Sequence, residues 1–299
     1  MKWALVLSGG GAKGLPYIGM FKVFEELNIP KPSLVVGCSI GAVIGSMYAL
    51  GKTSDEMEQY FTGDFNPNDY LGAGNLFNLK LVNKVLQTGT ALNNLLSGNS
   101  LDDGQKIYTF LRRLTDGKTF AQTKIPFVCN AFDLHSGMEV ILKEGELAKS
   151  VLASSSYPLL LAPVRIKDKL LVDGGIAHNT PVSIAAELGF RNIVSVTLDS
   201  FSKTSFPHTY SDAASLLVRV FSCIGNTKSL RKSDYPSFWI NLSNKIDSMD
   251  FSEALSKITV GYKLTLEQKE NIKMYFTSGM SGSLFRKNIK ENIKKTYTL

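Results

Sequence analysis

Twice within the first fifty residues a short apolar run passes through glycine into a helix-like stretch, and that doubled pattern restricts the fold more than any other feature. Residues 3 to 8, Trp3 to Ser8, form an apolar β-type run, and Gly9 to Gly14 break it. Pro16 then suits the first turn of a helix over 16 to 27. A second buried strand is expected at Leu34-Val35-Val36, with a helix following at once from Ile40 to about Leu50. A strand-loop-helix-strand-turn-helix opening is the signature of a parallel sheet with helices packed on its faces.

The remaining chain extends that reading. Thr53 or Ser54 can cap a further helix, and residues 54 to 115 read as a mostly helical insertion with breaks near 63 to 75 and 97 to 104. Strand character returns over 125 to 142, interrupted by the turn-like Asp133 to Gly137. A helix at 145 to 154 ends before Pro158 and Pro163, a short strand covers 169 to 172, and Asp173-Gly174-Gly175 stops it. A helix at 181 to 188 and a strand at 192 to 198 follow, and from 209 onward the chain reads as helical apart from a strand over Ser237 to Leu242. With 299 residues and no repeat or linker, one α/β domain over 1–299 is expected, because such folds run past 250 residues around one core.

The opening apolar run is too short for a secretory segment and ends in glycines rather than a small-residue cleavage site. No stretch of about 18 uncharged apolar residues suggests a spanning helix. Cys38, Cys129 and Cys223 cannot all pair with one another and show no metal-ligand spacing, so reduced thiols and a cytoplasmic setting are expected. A net charge of +7 favours an anionic surface, nucleic acid or lipid headgroups, and charge alone does not choose between them.

Three motifs carry chemistry. Gly37-Cys38-Ser39-Ile40-Gly41 fits G-x-S-x-G at a strand-to-helix turn, where a serine stands exposed above the sheet and flanking side chains would clash. The helix that follows aims its N-terminal dipole at the place where negative charge develops. Gly9-Gly10-Gly11-Ala12-Lys13-Gly14 offers backbone N–H groups free of Cβ obstruction, suited to an oxyanion. The same loop fits G-x-G-x-x-G, but a dinucleotide site needs an acid at the end of the second strand, where Gly37-Cys38-Ser39 stands, while Glu25 and Glu26 lie in the preceding helix. A phosphate-binding P-loop fits worse, since Leu15 and Pro16 follow Gly14. Asp173-Gly174-Gly175, followed by Asn179 and Pro181, puts a carboxylate at a strand end; taken alone, it reads as a turn.

A glycine-rich loop with a basic residue, then G-x-S-x-G about 25 residues later, then D-G-G, resembles the patatin-like phospholipase family over roughly residues 1 to 200. The resemblance implies a three-layer sandwich with a mostly parallel central sheet, helices on both faces and, here, a helical C-terminal extension. It implies a lipid acyl hydrolase with a Ser-Asp dyad: Ser39 as nucleophile, Asp173 as base, Gly10 and Gly11 as oxyanion donors, and Lys13 where many members have Arg. Ser154-Ser155-Ser156-Tyr157-Pro158 and Pro163 also resemble the family's small-residue and proline segment. The implied partner is a lipid or phospholipid rather than nucleic acid, with no metal or cofactor; oligomeric state has no signature.

The alternatives are an α/β-hydrolase or acyltransferase with a Ser-His-Asp triad, a non-catalytic lipid-binding scaffold, and a dinucleotide-dependent oxidoreductase. His178 and His208 both follow Asp173, so the triad order is formally available, yet a nucleophile on the second strand leaves little sheet before the elbow. His135, His178 and His208 are each expected to be solvated loop residues. Cys38 is expected to turn away from Ser39 and pack inward. Residues 283 to 298 form an amphipathic pattern, with Phe285, Ile289 and Ile293 opposite Lys287, Lys290 and Lys294. With Arg286 and Lys295 counted beside these lysines and Glu291 against them, the segment carries a net +4, making it a candidate for peripheral contact with anionic membrane. The competing expectation is that the stripe packs on the domain.

Overall fold

The computed structural model describes residues 1–64, 104–158, 161–198, 224, 237–246, 248 and 250–296. The helical reading of 65 to 103 and of 209 to 236, together with Cys223 and His208, lies outside them. The described residues form an eight-stranded mixed sheet. Its centre is β1 (Ala4–Leu7), paired in parallel with β2 (Leu34–Gly37) on one side and β7 (Ile193–Thr197) on the other. β8 (Phe238–Asn241) extends the parallel side, and β3 (Phe127–Asp133) lies parallel to β2. β1 and β2 are buried along their whole length, as expected of parallel strands covered on both faces.

Beyond β3 the direction inverts. β4 (Met138–Leu142) forms an antiparallel hairpin with β3, and β6 (Lys169–Asp173) pairs with β3 antiparallel before β5 (Val164–Ile166) closes that edge. β4 occupies one edge of β3, so β2 and β6 share the other, and they approach one another end to end. The last residue of β2, Gly37, lies opposite Cys129, and the last of β6, Asp173, lies opposite Ala131. Two strand C-termini thus meet across one β3 residue, Asn130, a span of about 7 Å at the usual strand rise.

Alternation along the strands divides the core. Leu5, Leu7 and Val35 face the larger cluster, shared with α1 (Pro16–Glu26), α2 (Ile40–Ala49) and α5 (Leu147–Ser155). Ala4, Val6, Leu34 and Val36 face the smaller one, covered by α7 (Val182–Glu187). Thr53 caps α3 (Ser54–Gln59) through a reciprocal capping box with Glu56, and a π-helical turn, Tyr60–Asp64, continues it. α4 (Gln105–Leu114) resumes the described helices after the insertion. The sequence reading did not name β5, nor the one-turn helix α6 (Gly175–His178) that follows Asp173.

The last part of the chain contains α8 (Ala254–Glu267), α9 (Lys269–Phe276) and α10 (Gly279–Thr296). α8 crosses α1 at backbone contact: a Cβ on Gly19 would strike Ile258 and Tyr262, and one on Gly261 would strike Pro16. On α10, Phe285 and Ile289 pack against the main core, with Phe285 edge-on to Phe238 at 6.3 Å between ring centroids. At these two positions the apolar stripe attaches the helix to the domain. Among the described residues no helix is long and apolar enough to cross one.

Candidate active site

Ser39 occupies the junction between β2 and α2 with φ 51° and ψ −124°, a conformation that strains any residue with a side chain. The strain is held in place by glycines on either side. A Cβ at Gly37 would lie 2.5 Å from the Gly41 carbonyl oxygen, and one at Gly41 would lie 2.7 Å from that of Ser8. Backbone therefore packs on backbone, and the only side chain lifted clear of the turn is the serine, which remains partly exposed. The Ser39 N–H donates to Ser154 Oγ at 3.1 Å.

Asp173 lies across from it, 2 % exposed. Its Oδ1 accepts the Gly175 N–H at 2.7 Å. Burial pushes the carboxyl up to about 6, while the nearby Ser39 hydroxyl and the Gly175 N–H hold it from rising further. The end of α5 touches both partners: Ser156 accepts the Asp173 N–H, and Ser154 accepts the Gly174 N–H through its carbonyl as well as the Ser39 N–H through its hydroxyl. The serine-rich stretch flagged in the sequence is thus the splint between the two motifs.

The glycine-rich loop runs past the same point. Gly10 is extended, Gly11 has φ 58°, and Gly11–Gly14 form a 3-10 turn leading into α1. The N–H groups of Gly10 and Gly11 meet no acceptor among the described residues, which leaves both able to receive one. Gly9 is stitched to Asn179 twice, by its N–H to the Asn179 carbonyl at 3.1 Å and by the Asn179 amide to its own carbonyl at 3.3 Å. A Cβ on Gly14 would strike Ile40, so the loop closes directly on the first residue of α2. Lys13 lies in the 3-10 turn, its carbonyl accepting from the Asn244 amide at 3.4 Å. From the far side, Ser248 takes the Ala12 N–H at 2.7 Å and fills the space beside Gly11.

The sequence reading overlooked Ile40, Asn130 and Asn179 as parts of this site. The Ile40 N–H, at the first turn of α2, also meets no described acceptor; the signal was available, since the residue after an elbow nucleophile supplies an oxyanion donor by the geometry of that turn. His178 departs from expectation. It is buried at 6 % exposure, with Nδ1 3.3 Å from Ser183 Oγ and 3.9 Å from Glu139 Oε1. The cause is α6, which turns the chain inward directly after Asp173. No histidine figures among the groups that set the acidity of Asp173. His135 is exposed in the β3–β4 turn, as expected. Cys38 is fully buried, but its sulfur lies 4.0 Å from Asp173 Oδ1, and burial together with that carboxylate raises the thiol pKa. Among the described residues no group of three or more His, Cys, Asp and Glu could hold a metal ion.

Residues 5–186 match the family model described as patatin-like phospholipase. Over 221 residues the chain is 34% identical to "Lysophospholipase NTE1" of Cryptococcus neoformans var. neoformans serotype D, covering 71% of this chain and 12% of that protein. It is 29% identical over 214 residues to human "Patatin-like phospholipase domain-containing protein 6", covering 71% of this chain and 14% of the relative. The chain therefore spans about an eighth of the length of these relatives. The crystal structure of VipD from Legionella pneumophila is similar in fold, with a TM-score of 0.51 at 17% identity over 90% of this chain and 66% of that one. The family match alone covers more than half of the sequence, and the chain belongs to the patatin-like phospholipase family.

Proposed function

We propose that this protein is a lipid acyl hydrolase acting through a Ser39–Asp173 dyad. The observation that carries the reading is the strained Ser39 beside a buried carboxylate whose pKa its hydroxyl helps to hold down. Asp173 takes the Ser39 proton as Oγ attacks the ester carbonyl, then gives it to the departing alcohol, leaving an acyl-enzyme. Water next attacks the acyl carbon, Asp173 takes a proton from it, and the fatty acid leaves as Ser39 Oγ regains a proton. The N–H groups of Gly10, Gly11 and Ile40 are proposed to receive the oxyanion, with Lys13 adding positive charge nearby.

The relatives' names make lysophospholipids the first substrate class to try. The whole of residues 1–299 is read as one domain, with Ser248 and α8 packed against the glycine-rich loop and α1. A cytoplasmic setting is kept on the strength of the three cysteines, which cannot all pair, and peripheral contact with a lipid surface on that of the proposed substrate.

The test is a lipid-class hydrolysis panel combined with a fluorophosphonate probe, using wild type and Ser39→Ala. Wild type should take the label on Ser39, and Ser39→Ala should lose both labelling and turnover, by about 10⁴-fold or more for an attacking serine. A variant that keeps its turnover removes the nucleophile assignment. No label and no hydrolysis in wild type would favour the non-catalytic scaffold.

A further inference from the structure

We propose that Asn130 is a positioning residue for the dyad, fixing the turn after Asp173 in register with the nucleophile elbow; this rests on the dyad reading above. Asn130 is the β3 residue between Cys129, which pairs with the end of the nucleophile's strand, and Ala131, which pairs with the end of the base's strand. It sits where two strand ends meet without bonding to each other, and it is fully buried.

Its amide nitrogen faces three oxygens: Glu139 Oε1 at 2.8 Å, the His178 carbonyl at 2.9 Å and the Gly174 carbonyl at 3.3 Å. All three are acceptors facing two amide hydrogens, so the longest contact, to Gly174, shares a hydrogen with a neighbour; a flipped amide would set oxygen against oxygen, and the chemistry fixes the orientation. Two of the three are the carbonyls that bracket α6, the one-turn helix whose first residue, Gly175, donates to Asp173 Oδ1. Gly174 is pressed so closely on Asn130 that a Cβ there would lie 2.5 Å from the amide carbon and oxygen. The amide oxygen itself has no hydrogen-bond partner among the described residues. A buried acceptor left unpaired is a cost that an apolar residue would avoid, and violations of this kind concentrate where function requires them.

Asn130 thus clamps both ends of the segment that aims the Asp173 carboxylate. Without the amide donors the segment can turn, and Asp173 loses its alignment with Ser39. Asn130 is fully buried, so the loss falls on turnover rather than on binding.

Asn130→Ala and Asn130→Asp in the full chain test this, the second preserving side-chain shape while replacing the donor by an acceptor. Reactive sites are titrated to completion with a fluorophosphonate, and kcat and KM for a soluble short-chain ester are measured per titrated site across the acid and neutral range. In both variants kcat per site should fall roughly 10- to 100-fold, as small misplacements of reacting groups do, with KM little changed and the acid limb of the kcat profile displaced. A purely structural role would reduce the number of titratable sites and leave kcat per site and the acid limb at wild-type values. That outcome overturns the proposal, even where few sites survive. Ser39→Ala separates the two readings: if it stays active the dyad itself fails, and if it is inactive while the Asn130 variants match wild type, only the positioning role fails.

Discussion

The two halves of the site are held by different means. On the Ser39 side, β1, β2 and α2 approach so closely that no side chain fits at Gly37 or Gly41, which leave backbone against backbone, while Gly14 meets the Ile40 side chain. On the Asp173 side, side-chain hydrogen bonds add to the β3–β6 ladder: Asn130 donates to Glu139 and to the carbonyls flanking α6, and Asp133 takes the Leu170 N–H at 3.1 Å and the Ser136 hydroxyl at 2.7 Å. The first arrangement is stiff because any added atom collides; the second is specified by polar groups that can be altered one at a time. A strained nucleophile needs the stiff frame, whereas a base needs a tuned environment more than a strained backbone.

The difference is broken most sharply by glycine replacement. Gly41→Ala drives a Cβ into the carbonyls of Leu7 and Ser8, whereas Gly175→Ala meets side-chain oxygens of Asn179 and Asp173 at 3.0 Å. Gly41→Ala should fail to fold or lose more than about 3 kcal/mol, the upper end of overpacking costs, and Gly175→Ala clearly less. Equal losses of Tm would mean that both sides are equally stiff.

A smaller effect sharpens the base side. With its folded pKa near 6 against an ordinary 3.8, Asp173 holds a proton in the folded state that the unfolded chain has released. Its contribution to stability therefore declines as pH rises from 3.8 through 6, and the penalty is complete above that window. Asp173→Asn should be the more stable protein at alkaline pH, by up to about 3 kcal/mol, and equal to wild type in acid, as denaturant melts at both pH values will show. Activity should follow the opposite course, since the base must be ionised: kcat/KM of wild type should fall as pH drops below about 6. Identical stability curves for the two proteins would refute the buried, proton-holding carboxylate.

The smallest effect concerns His178. Loss of its buried contacts in His178→Ala should cost about 1–2 kcal/mol, while kcat/KM corrected for folded protein changes little. A catalytic loss as large as that of Ser39→Ala would move the chemistry to a triad.

The Ser39 side was legible in the sequence for the same reason that it is stiff. Glycines at Gly9, Gly10, Gly11, Gly14, Gly37 and Gly41 record where chains touch, and the continuous apolar runs of β1 and β2 record burial on both faces. Asp173 was legible only through its motif. Strand direction leaves no mark in a residue pattern, so the inversion at β3 and the end-to-end meeting of β2 with β6 could not be read. β5 has three residues with little burial and no alternation to notice, and α6 reads as a turn because Asp173-Gly174-Gly175 is turn chemistry. His178 was misplaced for that reason. Asn130 lies inside an ordinary strand pattern, and only the register makes it distinctive.

The notch where Gly19 meets Ile258 and Tyr262, matched by Gly261 against Pro16, bears on how such a chain can drift over evolutionary time. The family match ends at residue 186, yet the helix behind the glycine-rich loop is seated on residues some seventy positions further on. The segment with no recognised motif is therefore not free to vary at that crossing: a methyl gained at residue 19 or 261 has to be answered by a shift of the opposing helix, and a shift of α1 is transmitted to the loop at its head. A fragment cut at the motif boundary would retain every residue proposed for the chemistry and lose the surface that holds one of them still.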